Sequence, residues 1–442
     1  MHGNTELLQF QEHHESSART YPRNLPLAIQ RAFGSHVLDM EGTSYIDFLS
    51  GAGVLALGHG HPRVLDAIRE QLDLLTHGLD IPTPVKAEFT RRHLQMLPPG
   101  MRDRMRVHFC GPTGADAVEA AVKLCKTATG RSDVVAYQGG YHGCTAGAMA
   151  LTSLVAPKRQ VANLMPGVHF MPYSYCAQCP LRLSPDSCDV NCVALLESAL
   201  SDSHAGFTTP AAVILELVQG EGGSIPAHPE FVRRVREATR AAGVPLVVDE
   251  IQTGAGRTGT WFAFEQYGIE PDVILLSKAI GGGLPVSLML YDQALDVWEP
   301  GSHIGTFRGN QLAFAAGLAV LDVFEKEDVL ANVRARSAQA FAALTPLETE
   351  LPTVLQVRGK GLMIGVELAG TPAVDAGELA REVQRVCFEG GLLIERGGRD
   401  DRVLRLLPPL NISEETFARG LDILATAVRE TTRRHLPAAS LI

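Results

Sequence analysis

An α/β protein with a mostly parallel sheet, joined to a smaller α+β unit, is predicted by three observations. Apolar runs recur at 106–110 (RVHFC), 133–137 (DVVAY), 211–217 (AAVILEL), 245–250 (PLVVDE), 272–277 (DVILLS) and 287–291 (SLMLY). Helical patterns with apolar positions three and four apart separate several of them, including ADAVEAAVKLCKTATG from Ala115 and PEFVRRVREATRAAG from Pro229. Strands that are apolar throughout need cover on both faces, which alternating helices supply. Beyond Gly309 the pattern changes to helices at 310–325 and 328–345, strands near 354–358 and 362–368, a helix near 375–390, the short strands LLIE and VLRLL, and a last helix. With the N-terminal strands VLDMEG and SYIDFL these form the second unit. The expected division is 1–63 and 319–442 for the smaller domain, 64–318 for the larger.

The 442 residues are too many for a small binding module, and 45% hydrophobic with 20% charged is the balance of a globular chain with a large core. A net charge of −10 without any Lys/Arg-rich run argues against nucleic acid as a partner. No apolar run reaches the roughly 18–20 residues needed to span a bilayer. The first twenty residues lack the basic start and apolar stretch of a secretion signal, so a cytoplasmic protein is expected, and its eight cysteines do not read as a disulfide framework.

Four segments carry chemistry. Lys278, one of only seven lysines, stands where DVILLSKAIGGGLP turns from an apolar strand into three glycines. The carboxyl ends of strands in an open α/β sheet face the ligand crevice, where a partly desolvated amine becomes a nucleophile toward carbonyls. The bland reading is a lysine reaching solvent from a strand end. Asp249 occupies a comparable end in PLVVDEIQTGAGRTG, and a carboxylate buried there needs a cation, for which a protonated pyridine nitrogen would serve. The same stretch matches GxGxxG at 254–259, but no crossover helix follows and the next strand ends in Ser277-Lys278, so a dinucleotide fingerprint is not expected. FCGPTGADAVEAAVKL leads a strand into a helix whose first N–H groups, at Thr113, Gly114 and Ala115, suit a phosphate; ordinary N-capping is the competing reading. YQGGYHG brings Tyr141 and His142, with a ring able to stack on a flat heterocycle. Together they describe pyridoxal phosphate: a pyridine with a phosphate arm and an aldehyde.

The ordered set GPTGADAVEAAVKL, YHG, LELVQGEGG, DEIQTGAGRTG, LLSKAIGGGLP, GTFRGNQLA and LRLLPP resembles the class III (ornithine-type, omega) aminotransferases of pyridoxal-phosphate fold type I over residues 20–430. The resemblance implies a large domain with a mostly parallel, seven-stranded type of sheet, a small domain built from both termini, and a homodimer with sites at the subunit interface. It implies Lys278 as Schiff-base lysine and proton shuttle, and Asp249 as partner of the pyridine nitrogen. Gln252 would meet the ring hydroxyl, Tyr141 would stack on the ring with His142 beside it, and Thr306 would reach the neighbouring subunit's cofactor phosphate. Glu216 and Glu221 match the family's active-site glutamates, and Arg405 the arginine that takes a substrate carboxylate. Leu217 replaces a frequent Pro, and Ala115 a frequent hydroxyl residue. ESSARTYPRNLPLAI, GAGVLALGHGHP and WEPGSHIGTFRGNQLAFAAGLA are most similar to members exchanging an amino group between L-glutamate and aspartate 4-semialdehyde to give 2,4-diaminobutyrate. Members acting on ornithine, 4-aminobutyrate or lysine, and racemases or aminomutases of the same fold, share nearly all these motifs.

CAQCPLRLSPDSCDVNC carries Cys176, Cys179, Cys188 and Cys192, whose spacing permits a four-sulfur zinc clip, a disulfide or free thiols. Cys110, Cys125, Cys144 and Cys387 read as core fillers. His59 and His61 lie in a turn before the helix that starts near Pro62.

Overall fold

The computed structural model describes residues 3–436, which divide into two compact units: Arg63–Asp328, and the residues up to Pro62 together with those from Val329 onward. The expected boundary at 318/319 is corrected to 328/329. It would have cut the helix Gln311–Lys326, whose Phe314 packs against Phe89 and Phe109 (ring centroids 4.9 Å in each case) in the larger unit.

The larger unit is organised by seven strands, β1 (Met105–Phe109), β2 (Val134–Tyr137), β3 (Val168–Met171), β4 (Ala212–Leu215), β5 (Leu246–Asp249), β6 (Val273–Leu276) and β7 (Leu288–Asp292), in the order β1-β7-β6-β5-β4-β2-β3. The five neighbours β6, β5, β4, β2 and β3 are mutually parallel, and β7 runs antiparallel to both β6 and β1. Each residue of β2, β4, β5 and β6 is buried, as expected of strands covered on both faces. Two features escaped the sequence reading. Strand β3 is a short edge strand with three half-buried residues, so it carries no continuous apolar run. The antiparallel sense of β7 depends on how the chain returns after the Gly281-Gly282-Gly283 turn, which apolarity cannot encode.

Helix α1 (Gly114–Thr129) begins five residues after β1 and buries Ala117, Val118, Ala120, Ala121, Leu124 and Cys125 against the sheet. Gly130 ends it in the left-handed conformation, where glycine carries no Cβ penalty (φ 66°). Helix α2 (Ala146–Leu151) follows β2, and α3 (Gln311–Lys326) closes the unit.

In the smaller unit Ile29–Phe33, His36–Asp39 and Ser44–Asp47 form an antiparallel set that Leu392–Leu393 joins in parallel, Leu392 opposite Ile46. This pairing makes one unit of the two termini. A second antiparallel sheet holds Val354–Lys360, Met363–Leu368, Val403–Leu406 and Glu395–Gly397, with helices Ala376–Glu389 and Glu414–His435 packed together. His59 forms an isolated antiparallel bridge with Gly34 in place of the expected turn, its Nε2 2.8 Å from Asp47 Oδ2, and the next helix starts at Pro62. Among the described residues no helix is long and apolar enough to cross a membrane.

Candidate active site

Parallel register places the ends of β2, β4, β5 and β6 along one edge of the larger unit, since Val248 is opposite Leu215 and Asp249 is opposite Leu275. The residues just past those ends line one cavity of about 420 Å³, together with the start of α1. Of the expected residues, Thr113, Gly114, Ala115, Tyr141, His142, Glu216, Glu221, Asp249, Gln252 and Lys278 all line it.

Lys278 opens a short 3-10 turn and is held at φ 51°. A left-handed backbone at a residue with a Cβ costs about 1–3 kcal/mol and persists only where its surroundings enforce it. Here Ser277 donates its hydroxyl to Val286 O (2.8 Å), and the turn packs on α3 so closely that a Cβ on Gly317 would lie 2.1 Å from Ile280 O.

Asp249 ends β5 only 4% exposed. One carboxylate oxygen, Oδ1, accepts from Ile251 N–H (3.0 Å); the other, Oδ2, lies 2.7 Å from His142 Nδ1. Burial works against a charge on the imidazole, but the hydrogen bond to Asp249 and the negative charges of Asp249 and Glu216 outweigh it and raise the His142 pKa. His142 Nδ1 therefore donates to Asp249. Its Nε2 is buried with no hydrogen-bond partner among the described residues. The ring thus backs Asp249, whereas the sequence reading set it only beside the stacking tyrosine.

Glu216 follows β4 and spans two turns, Oε1 accepting from Tyr141 N–H and Oε2 from Gly220 N–H (2.8 Å each). Burial pushes its pKa up to about 7, against the opposing pull of His142. A Cβ on Gly220 would meet Gln252 Oε1 at 2.2 Å, so a side chain there would push the Gln252 amide from its place on the cavity wall.

The start of α1 departs from expectation in one respect. Thr113 gives both its N–H (2.9 Å) and its hydroxyl (2.8 Å) to Asp116 Oδ2, capping its own helix. That leaves the N–H groups of Gly114 and Ala115, which have no acceptor within the helix, for an anion. The missing hydroxyl at Ala115 has a steric counterpart: a Cβ on Gly143 (φ 122°) would come within 2.6 Å of Ala115 Cβ, so this wall of the cup is already tight. Glu119 draws the next loop onto α1, its Oε1 accepting from Thr145 Oγ1 (2.6 Å), Gly147 N–H (2.9 Å) and Ala148 N–H (3.1 Å).

Cys144 is corrected from core filler to an exposed cavity residue, its Sγ 3.4 Å from the Tyr141 hydroxyl. It follows the sharp turn at Gly143, and this turn rather than apolar character decides which way it points. Gly143, Thr145 and Ile251 line the cavity without having been singled out beforehand. Thr306 is exposed and lies outside this cavity. Arg405 belongs to the smaller unit, fully buried, with Nη1 3.0 Å from Glu395 Oε2, and the Tyr21 hydroxyl donates to Glu395 Oε1 (3.2 Å). Glu395 was missed. No sequence signal marked it, because only the pairing of the two strands sets it directly opposite Arg405. Gly254–Gly259 forms turns followed by the short 3-10 turn Ala263–Tyr267, with no crossover helix.

Cys176, Cys179, Cys188 and Cys192 line a separate small, mostly apolar cavity as free thiols. Among the described residues no group of three or more His, Cys, Asp or Glu is arranged to hold a metal ion.

A family model described as "Aminotransferase class-III" matches residues 17–428. A diaminobutyrate–2-oxoglutarate aminotransferase of Rhizobium meliloti is 46% identical, covering 98% of this chain and 94% of the relative. One of the same description from Haemophilus influenzae is 44% identical over 93% and 92%. A solved amine transaminase from an uncultivated Pseudomonas species, in its PLP-bound form, superposes with a TM-score of 0.85 at 28% identity, covering 96% of this chain and 98% of that one.

Proposed function

The chain belongs to the class III aminotransferases, and from that membership we propose that it moves an amino group between L-glutamate and aspartate 4-semialdehyde, giving 2,4-diaminobutyrate. It is a transaminase that uses pyridoxal 5'-phosphate. The observation that carries the cofactor's fit is one cavity offering a strand-end amine, a buried carboxylate and a helix start to the three ends of that molecule. When bound, the cofactor supplies an electron sink for the pair left behind as the substrate loses a proton from the carbon bearing its amine.

The chain's residues divide the remaining work. Gly114 and Ala115 hold the phosphate through their N–H groups. Asp249 holds a proton on the ring nitrogen, and His142 fixes that carboxylate's orientation from behind. Tyr141 covers the ring, and Glu216 fixes the Tyr141 backbone. Gln252 meets the ring hydroxyl. Lys278 would hold the aldehyde through Nζ, and the same Nζ would move a proton at the substrate carbon that bears the amine. Arg405 takes a substrate carboxylate, and Glu395 fixes the guanidinium that does so.

The substrate choice is supported by the names of the relatives. Ornithine, 4-aminobutyrate and lysine are the competitors to test. With 2-oxoglutarate as acceptor, glutamate is expected from 2,4-diaminobutyrate with a kcat/KM about tenfold or more above the other three. No glutamate from any of the four would remove the transaminase reading; a preference for ornithine would remove only the choice of substrate.

The enzyme works as a homodimer whose subunits complete each other's sites, with Thr306 reaching the neighbour's phosphate. Support comes from large apolar residues left exposed on the larger unit: Leu74 (78%), Ile304 (76%), Phe307 (69%) and Ile81 (61%). Phe307→Asp is expected to yield monomers by light scattering, with at least a tenfold loss of turnover; a dimeric, active variant would count against the shared site. A cytoplasmic location is supported by composition, since eight cysteines in a chain of 442 residues do not read as a disulfide framework.

A further inference from the structure

The segment 297–309, which carries Thr306, has no helix or strand, and its Ile304 and Phe307 face outward. A connection of that kind is ordinarily mobile. Here it is pinned on both sides of Thr306. On one side Lys123, two turns into α1, donates from Nζ to Ser302 O (3.0 Å), and Ser302 Oγ donates to Glu299 O (2.7 Å). On the other, Arg308 Nε donates to Phe109 O at the end of β1 (3.2 Å). The Arg308 Nη2 lies 3.1 and 3.2 Å from the two ring nitrogens of His108, so it addresses the ring as a whole and not one lone pair. His108 in turn meets Trp298 and His303 edge-on, with centroids 5.1 and 5.3 Å away at 74° and 73°, while Trp298 and His303 lie parallel at 5.8 Å and 6°.

The electrostatics suit a neutral ring beneath a cation. Burial first, then Arg308, then His303 and Lys123 push the His108 pKa down to about 3, so no charge develops there to repel the guanidinium at working pH.

We propose that Arg308 is a positioning residue: with His108 and the Trp298–His303 stack, it fixes the segment so that Thr306 is already set for the cofactor phosphate of a second copy. This rests on the shared-site reading above. The physical gain is preorganisation, because a segment ordered before assembly does not lose that conformational freedom when the phosphate binds.

Arg308→Ala, tested as full-length protein, is expected to stay dimeric and folded while its affinity for pyridoxal phosphate falls about 10- to 100-fold, the value of one charge-assisted hydrogen bond. Arg308→Lys keeps the cation but lacks the planar fork; it is expected to show the same direction of change and serves if the alanine variant does not fold. The decisive measurement uses hybrid dimers, purified with two tags, in which one subunit carries Lys278→Ala and the other Arg308→Ala. The intact Lys278 of such a hybrid is served by the unaltered segment of its neighbour, so that site should bind cofactor with wild-type affinity. A weak hybrid site, or an Arg308→Ala homodimer that binds cofactor as tightly as wild type, would overturn the proposal. So would an Arg308→Ala chain that folds as a monomer, since Arg308 would then hold the interface itself. A wild-type chain that is monomeric and fully active would overturn the shared-site reading and this inference together, whereas weak hybrids from an intact dimer would remove only the role of Arg308.

Discussion

Lys278→Ala is expected to lower kcat by about 10,000-fold or more, because in the function proposed above one Nζ both anchors the cofactor and carries the proton. The two roles separate experimentally. Borohydride treatment followed by mass spectrometry should find the cofactor attached to wild-type chain and absent from the variant. Adding a small primary amine should restore some proton transfer without restoring attachment. Lys278→Arg keeps a positive charge yet has no amine able to bond to an aldehyde at neutral pH, so it should fail as completely as alanine. Turnover within tenfold of wild type in either variant would remove Lys278 from the mechanism. The loss should not reflect unfolding: Lys278 sits in a left-handed backbone at φ 51° on the cavity wall, and shortening its side chain leaves the Ser277–Val286 bond and the packing against α3 in place.

Asp249→Asn is expected to cost about 100- to 1,000-fold in kcat, the range for removing one group that stabilises developing charge in a closed site. The change in volume is small, so the loss is electrostatic. An amide cannot hold a proton on the ring nitrogen as a carboxylate does. The same substitution takes from His142 the partner that raises its pKa, leaving burial to dominate, so the imidazole should become neutral below its ordinary value of 6.5. NMR of labelled histidine should therefore show the His142 resonance titrating at lower pH in the variant than in wild type. A variant with unchanged kcat, or a His142 titration that does not move, would show that the 2.7 Å contact has no part in the chemistry.

Several expectations met the structure at different depths. Lys278, Asp249 and the start of α1 were legible because each is a short-range feature, a strand running into a turn or a helix within a dozen residues. The Gly-rich turn after Ser277 and the acid at the end of PLVVDE need no knowledge of the rest of the chain. Cys144 was misread because its environment depends on the Gly143 backbone turning through φ 122°, which the sequence reading had not placed. Thr113 was assigned an anion-binding N–H that Asp116 in fact takes. The capping spacing from residue 113 to 116 is visible in the sequence, and weighing it would have given the right assignment.

What the chain determines by itself is thus local: which runs are strands, which turns need glycine, and which few polar groups those turns carry. Strand order, the antiparallel sense of β7, the meeting of His142 with Asp249 across 107 residues and the facing of Glu395 and Arg405 were decided only by the folded structure. Backbone preferences act over a few residues, so they are written in the neighbouring letters. Partnerships between distant segments follow from how buried strands stack side by side, and that arrangement is settled by the packing of the whole unit at once.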